Sequence, residues 1–173
     1  LGLHAALVGK LTPQEVAPVA SRLGWRLHLD GERRCRLQRG PLQLQLEWGR
    51  FASVVQQCDL LLSMTGTAAE QCVGLGKPVL QLAGAGPQFT TGFAEAQRRL
   101  LGPGVVCADA PPGSVSQLSD TAQLVETLLQ RLLDDTTWRD TLQRIGLERI
   151  GSGGGGARMA ADLHALLQTR RHG

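Results

Sequence analysis

Thr65, Gly66, Thr67 and Ala68 follow the short apolar run 59–63 and open a helical segment, and residues of these types at this place hold anions rather than cut bonds. A helix start leaves main-chain N–H groups without intrahelical acceptors, and the helix dipole favours negative charge there. Glycine at 66 lets the main chain approach a phosphate closely. The hydroxyls of Thr65 and Thr67 can add hydrogen bonds, so a diphosphate is a suitable guest, and Ser63, at the end of the preceding run, joins the candidate set. The pattern is not a P-loop. No Gly-Lys-Ser/Thr ending follows, and Gly-Thr before a helix is also an ordinary turn and cap.

The elements that must position these residues are a strand, a helix and a second strand. Asp59-Leu60-Leu61-Leu62-Ser63 and Pro78-Val79-Leu80-Gln81-Leu82 are too short for helices and read as buried strands of a parallel sheet. Between them, Thr67 as N-cap and Glu70 three residues on predict a capping box, and Gly74, Gly76 and Pro78 stop the helix about three turns later. Ala83 to Gly92 is a glycine-rich loop at the carboxyl end of the second strand, where open α/β sheets bind ligands. Its glycines also serve simply to connect strand to helix. Gln88 and Thr90 are the residues expected to touch a sugar, while Phe89 packs either a ligand or the core.

The run SMTGTAAEQCVGLGKPVLQLAGAGPQF, followed by FAEAQRRLLG, resembles the donor-binding half of GT-B glycosyltransferases, most closely proteins related to bacterial lipid-A-disaccharide synthase. The likeness implies that Gly66 and Thr67 form the turn that holds the diphosphate of a UDP-sugar, with Ser63, Thr65 and Ala68 beside it. It places Gly86, Gln88, Phe89 and Thr90 in the sugar-contacting loop and adds Glu95 near the start of the next helix. It also implies a hexosyltransferase of lipid A biosynthesis that transfers an N-acylglucosamine-type sugar with loss of UDP. Such a protein is cytoplasmic and peripheral to the inner membrane. Its lipid or sugar acceptor is bound by an N-terminal domain that this sequence does not include.

One residue departs from the pattern. The ribose-binding glutamate of those enzymes sits seven residues before the proline that ends the helix, which is Gln71 here; Glu70 lies one step away, about 100° around the helix. Both are ribose candidates. A neutral amide holds a ribose diol less strongly than a carboxylate. A non-catalytic module of the same fold with a degenerate nucleotide site is therefore the second reading, and a sugar-nucleotide epimerase a third.

The rest of the chain limits the alternatives. Its 173 residues are 42% hydrophobic and 19% charged, enough for a well-formed core. Net charge is only +3 and aromatic residues are 3%, which argues against nucleic acid as a partner. Cys35, Cys58, Cys72 and Cys107 are widely spaced with no C-x-x-C and no histidine at ligand spacing, so neither a metal nor any other cofactor is expected. No apolar run approaches 18 residues, so no transmembrane segment is expected. The chain opens without methionine inside an apparent strand, which reads as a fragment. No residue is a candidate general base or nucleophile.

In chain order, Leu3 to Val8 reads as a strand, Thr12-Pro13-Gln14-Glu15 as a capped helix start, and Trp25 to Leu29 as a half-buried strand. Cys35–Gln38 and Leu42–Leu46 alternate strictly, which places them near a sheet edge or in a hairpin with Gln43 and Gln45 wet. Phe51 to Cys58 is a helix. After the loop come a helix over 93–101, a strand over 104–107, and a helix whose core face is Val125, Leu128, Leu129, Leu132 and Leu133. A helix with Trp138, Leu142 and Ile145 is expected to end at Gly146. The expected whole is α/β, a Rossmann-like doubly wound, mainly parallel sheet forming the donor-binding half of a GT-B fold. Residues 1–150 form the nucleotide-sugar-binding domain, and 151–173 a glycine-rich hinge and terminal helix.

Overall fold

The computed structural model describes residues 1–7, 9–31, 34–64, 66–84, 86 and 90–171, the last three by their backbone only. The chain is α/β and divides into two compact units, Leu1–Cys58 and Asp59–Gly173. The division falls inside the span 1–150, at the start of the Asp59 segment.

The first unit contains strand β1 (Leu3–Leu7), helix α1 (Pro13–Arg22), strands β2 (Arg26–Leu29), β3 (Arg34–Arg39) and β4 (Leu42–Trp48), and helix α2 (Phe51–Gln57). Its sheet has the order β1-β4-β3-β2, with β1 and β4 parallel and the other pairs antiparallel. β3 and β4 form the expected hairpin but are the two interior strands, not edge strands. Their alternation reports one-sided burial rather than place in the sheet: Cys35, Leu37, Leu46 and Trp48 pack with Ala20 of α1 on one face. Gln43, on the other face, is exposed and Gln45 half-buried. The start of α1 is a complete capping box, with the Thr12 side chain accepting from Glu15 N–H and the Glu15 carboxylate accepting from Thr12 N–H.

The second unit contains β5 (Leu61–Ser63), α3 (Gly66–Gly74), β6 (Val79–Gln81), α4 (Thr91–Leu101), β7 (Val105–Cys107), α5 (Val115–Asp134), α6 (Thr136–Arg149) and α7 (Gly155–Arg171). Its sheet, β5-β6-β7, is wholly parallel, as the two apolar runs predict. Leu80 of β6 packs with Leu128, Trp138 and Leu142, with Val125 and Leu132 alongside. Leu133, expected in that face, is 72% exposed, because it lies about 100° beyond Leu132 and outside the buried stripe.

Gly146 does not end α6. The helix runs on to Arg149, and Gly146 is buried inside it because a Cβ there would run into the carbonyl oxygen of Val73 in α3. Glycine here permits close helix packing rather than a stop. In α7 the helix begins at Gly155, inside the glycine run read as a hinge, and Leu163, Leu166 and Leu167 are exposed. None of the described helices is long and apolar enough to cross a membrane.

Candidate functional site

The candidate site lies wholly in the second unit, at the carboxyl end of β5-β6-β7. Ser63, Gln81 and Cys107 are the last residues of the three strands and are in register with one another. Residues paired across a parallel sheet share a face, so the row is polar and its face is opposite Leu80. Helix α4 packs against β7, with Glu95 and Arg98 within electrostatic reach of the Cys107 thiol. Burial first, and then Glu95, push the thiol above its ordinary pKa, so Cys107 is a protonated thiol at neutral pH.

Two residues after β5, α3 begins. Its first residue is Gly66, two positions earlier than the capping pattern predicts, so Thr67 lies in the first turn instead of capping it. The N–H groups of Gly66, Thr67 and Ala68 are therefore the first of the helix, as an anion site at this turn requires. Glycine at 66 leaves little room for a side chain. The Gln97 carboxamide of α4 lies 3.2 to 3.4 Å from the point a Cβ would occupy, so a side chain at 66 would push Gln97 back by a few tenths of an ångström.

Beside this turn is a cleft of about 360 Å³ lined by Met64 after β5, Leu82, Ala83 and Gly84 after β6, and Pro112, Gly113 and Gln117 before and within α5. Its wall is apolar and its shape is fixed by one side chain. Gln117 donates to the Ala83 carbonyl (2.8 Å) and accepts from the Gly113 N–H (2.7 Å), tying the loop after β6 to the first turn of α5.

The remaining sequence candidates fall at separate places. Glu70 is half-buried and Gln71 exposed on α3. Gly86 is exposed with φ +123°, a conformation that favours glycine. Thr90 is exposed, and its hydroxyl caps α4 by accepting from the Phe93 N–H at 3.1 Å. Glu95 faces its own helix: Arg98 and Arg99 occupy both carboxylate oxygens at 2.6 to 2.9 Å and hold its pKa down to about 2. A carboxylate so engaged is a surface ion-pair hub. Thr65, Gln88 and Phe89 lie outside the described residues.

Sequence reasoning missed Gln81 and Gln97 as site residues. Gln81 is 1% exposed, and neither its Nε2 nor its Oε1 has a hydrogen-bond partner among the described residues; Gln97 is 9% exposed, and its Oε1 is likewise buried and unpartnered. The available signal was a glutamine between Leu80 and Leu82 in an otherwise apolar strand. Among the described residues, no cluster of histidine, cysteine and carboxylate side chains could hold a metal ion. The chain matches no protein-family model, no curated protein and no solved structure.

Proposed function

We propose that the second unit binds the diphosphate of a nucleotide-sugar at the first turn of α3, as part of a GT-B-type, UDP-sugar-dependent hexosyltransferase related to lipid-A-disaccharide synthase. The observation that carries this reading is the sequence strand, glycine turn, helix at the carboxyl end of a parallel sheet, which leaves the first N–H groups of α3 without intrahelical acceptors there. In a doubly wound fold, that edge is where ligands bind. The cleft beside Met64 and Leu82 has room for an apolar or planar part of the ligand.

The chemistry this arrangement serves is displacement at the anomeric carbon. An acceptor hydroxyl forms the new C–O bond, the bond to the diphosphate breaks, and UDP leaves with the electron pair. The α3 N-terminus stabilises the negative charge that grows on the departing diphosphate. The hydroxyl proton goes to a base outside the described site, where the lipid or sugar acceptor also binds. Glu70 takes the ribose hydroxyls. The exposed Gln71 at the expected glutamate position favours the second reading, a module that keeps the fold with a degenerate nucleotide site.

Calorimetric titration with UDP, UDP-N-acetylglucosamine, ADP and GDP decides between them. The donor reading expects binding of the uridine nucleotides alone, abolished in Thr67→Pro, which removes one first-turn N–H at a helix position that tolerates proline. Absence of binding to all four would leave the degenerate module.

A further inference from the structure

We propose that Gln97, together with Gln81, is a positioning residue for the anion turn. Its carboxamide sets how the main chain runs at Gly66, and so where the first N–H groups of α3 point, and the two amides are kept at the expense of stability. The proposal rests on the reading of that turn as a diphosphate site.

Three observations converge. Gln81 and Gln97 are both at least nine-tenths buried with carboxamide atoms that no described residue satisfies, and a buried unpartnered amide is destabilising relative to an apolar group of the same shape. Leucine or methionine would fill either place. Gln97 also reaches the turn itself, since its carboxamide lies 3.2 to 3.4 Å from where a Cβ at Gly66 would stand, a contact tight enough that one of the two would have to give. Finally, Gln81 belongs to the row Ser63–Gln81–Cys107 that ends the sheet, whose strand β7 packs against α4, the helix that carries Gln97. Polar atoms thus collect on one side of the turn, while the opposite face of the same sheet is closed by leucines and a tryptophan.

Gln97 therefore acts through Gly66, without needing to touch the ligand. A leucine at 97 keeps the volume and loses the dipole that faces the turn. An alanine at 97 vacates the space that a Cβ at 66 would need.

The test uses the full chain, melted thermally and titrated with UDP. Gln81→Met and Gln97→Leu are expected to raise Tm by about 2–4 °C, the effect of removing one unsatisfied buried amide from a chain of this size. Gln97→Leu is expected to weaken UDP binding about tenfold, as loss of one aligned hydrogen-bonding group does. Gly66→Ala should lower Tm, and adding Gln97→Ala should restore most of that loss, because the two positions share one space. A fall in Tm for both glutamine variants, or additive effects at 66 and 97, overturns the proposal. Unchanged UDP affinity in Gln97→Leu, with the wild type binding, overturns it while sparing the diphosphate reading. A wild type that binds no UDP sinks the diphosphate reading alone, and the melting data still decide whether residue 97 sets the turn.

Discussion

Both units bury polar atoms without a partner among the described residues, His28 Nε2 and Arg36 Nε in the first and those of Gln81 and Gln97 in the second, but Gln97 lies against the start of a helix. In the first, the nearly buried Glu47 carboxylate is met by the His4 ring at 3.1 Å and by two guanidinium groups, Arg50 at 3.2 Å and Arg34 at 3.8 Å. In the second, Gln81 and the Oε1 of Gln97 are buried without a partner among the described residues. A paired group is explained by the fold that holds it. An unpartnered one beside a helix start has no such explanation, and this contrast directs attention to the carboxyl end of β5-β6-β7 rather than to the more strongly charged sheet of the first unit.

The contrast can be broken at several points. Trp138→Ala should cost the second unit about 3–5 kcal/mol, seen as an earlier melting transition, because the indole fills the core under Leu80. A loss below 1 kcal/mol would mean that this core does not hold the sheet. Glu47→Ala should cost about 1–2 kcal/mol, since it leaves His4, Arg34 and Arg50 without their acid, whereas Gln81→Met should cost nothing or stabilise. If both substitutions destabilise alike, the two units do not differ in the way described.

The smallest effect is expected at Glu95. Its pKa is lowered from 4.5 to about 2, first by the hydrogen bonds from Arg98 and Arg99. A carboxyl depressed in this way adds stability above its unfolded pKa and loses it as pH falls toward the folded one. The Tm difference between wild type and Glu95→Gln should be small and constant above pH 5 and vanish near pH 2, since exposed ion pairs contribute little. Loss of nucleotide binding in Glu95→Gln at neutral pH would instead give that carboxylate a role at the ligand.

Two identical-looking motifs show what the sequence could and could not reveal. Thr12-x-x-Glu15 forms a capping box as read, because Pro13 fixes the first helical residue. Thr67-x-x-Glu70 has the same letters but no proline, and Gly66 joins the helix, so the start moves back by two residues. The hairpin, the parallel strands and the glycine turn into α3 follow from alternation, apolar runs and glycine placement. Strand order and the burial of Gln81 do not, because they depend on which helix comes to lie over which face. Leu133 and Gly146 were misread for the same reason: a helix stripe and a helix stop look alike until the neighbouring helix is in place.

The most direct measurement is a titration of the isotope-labelled chain with UDP, followed through the amide resonances of Gly66, Thr67 and Ala68. A diphosphate held by the first turn of α3 predicts saturable shifts of these three amides, larger than those of α5 or α7 and not reproduced by uridine, which lacks the phosphates. Binding that leaves them unmoved, or equal shifts with uridine, would contradict the assignment of the anion site to this turn.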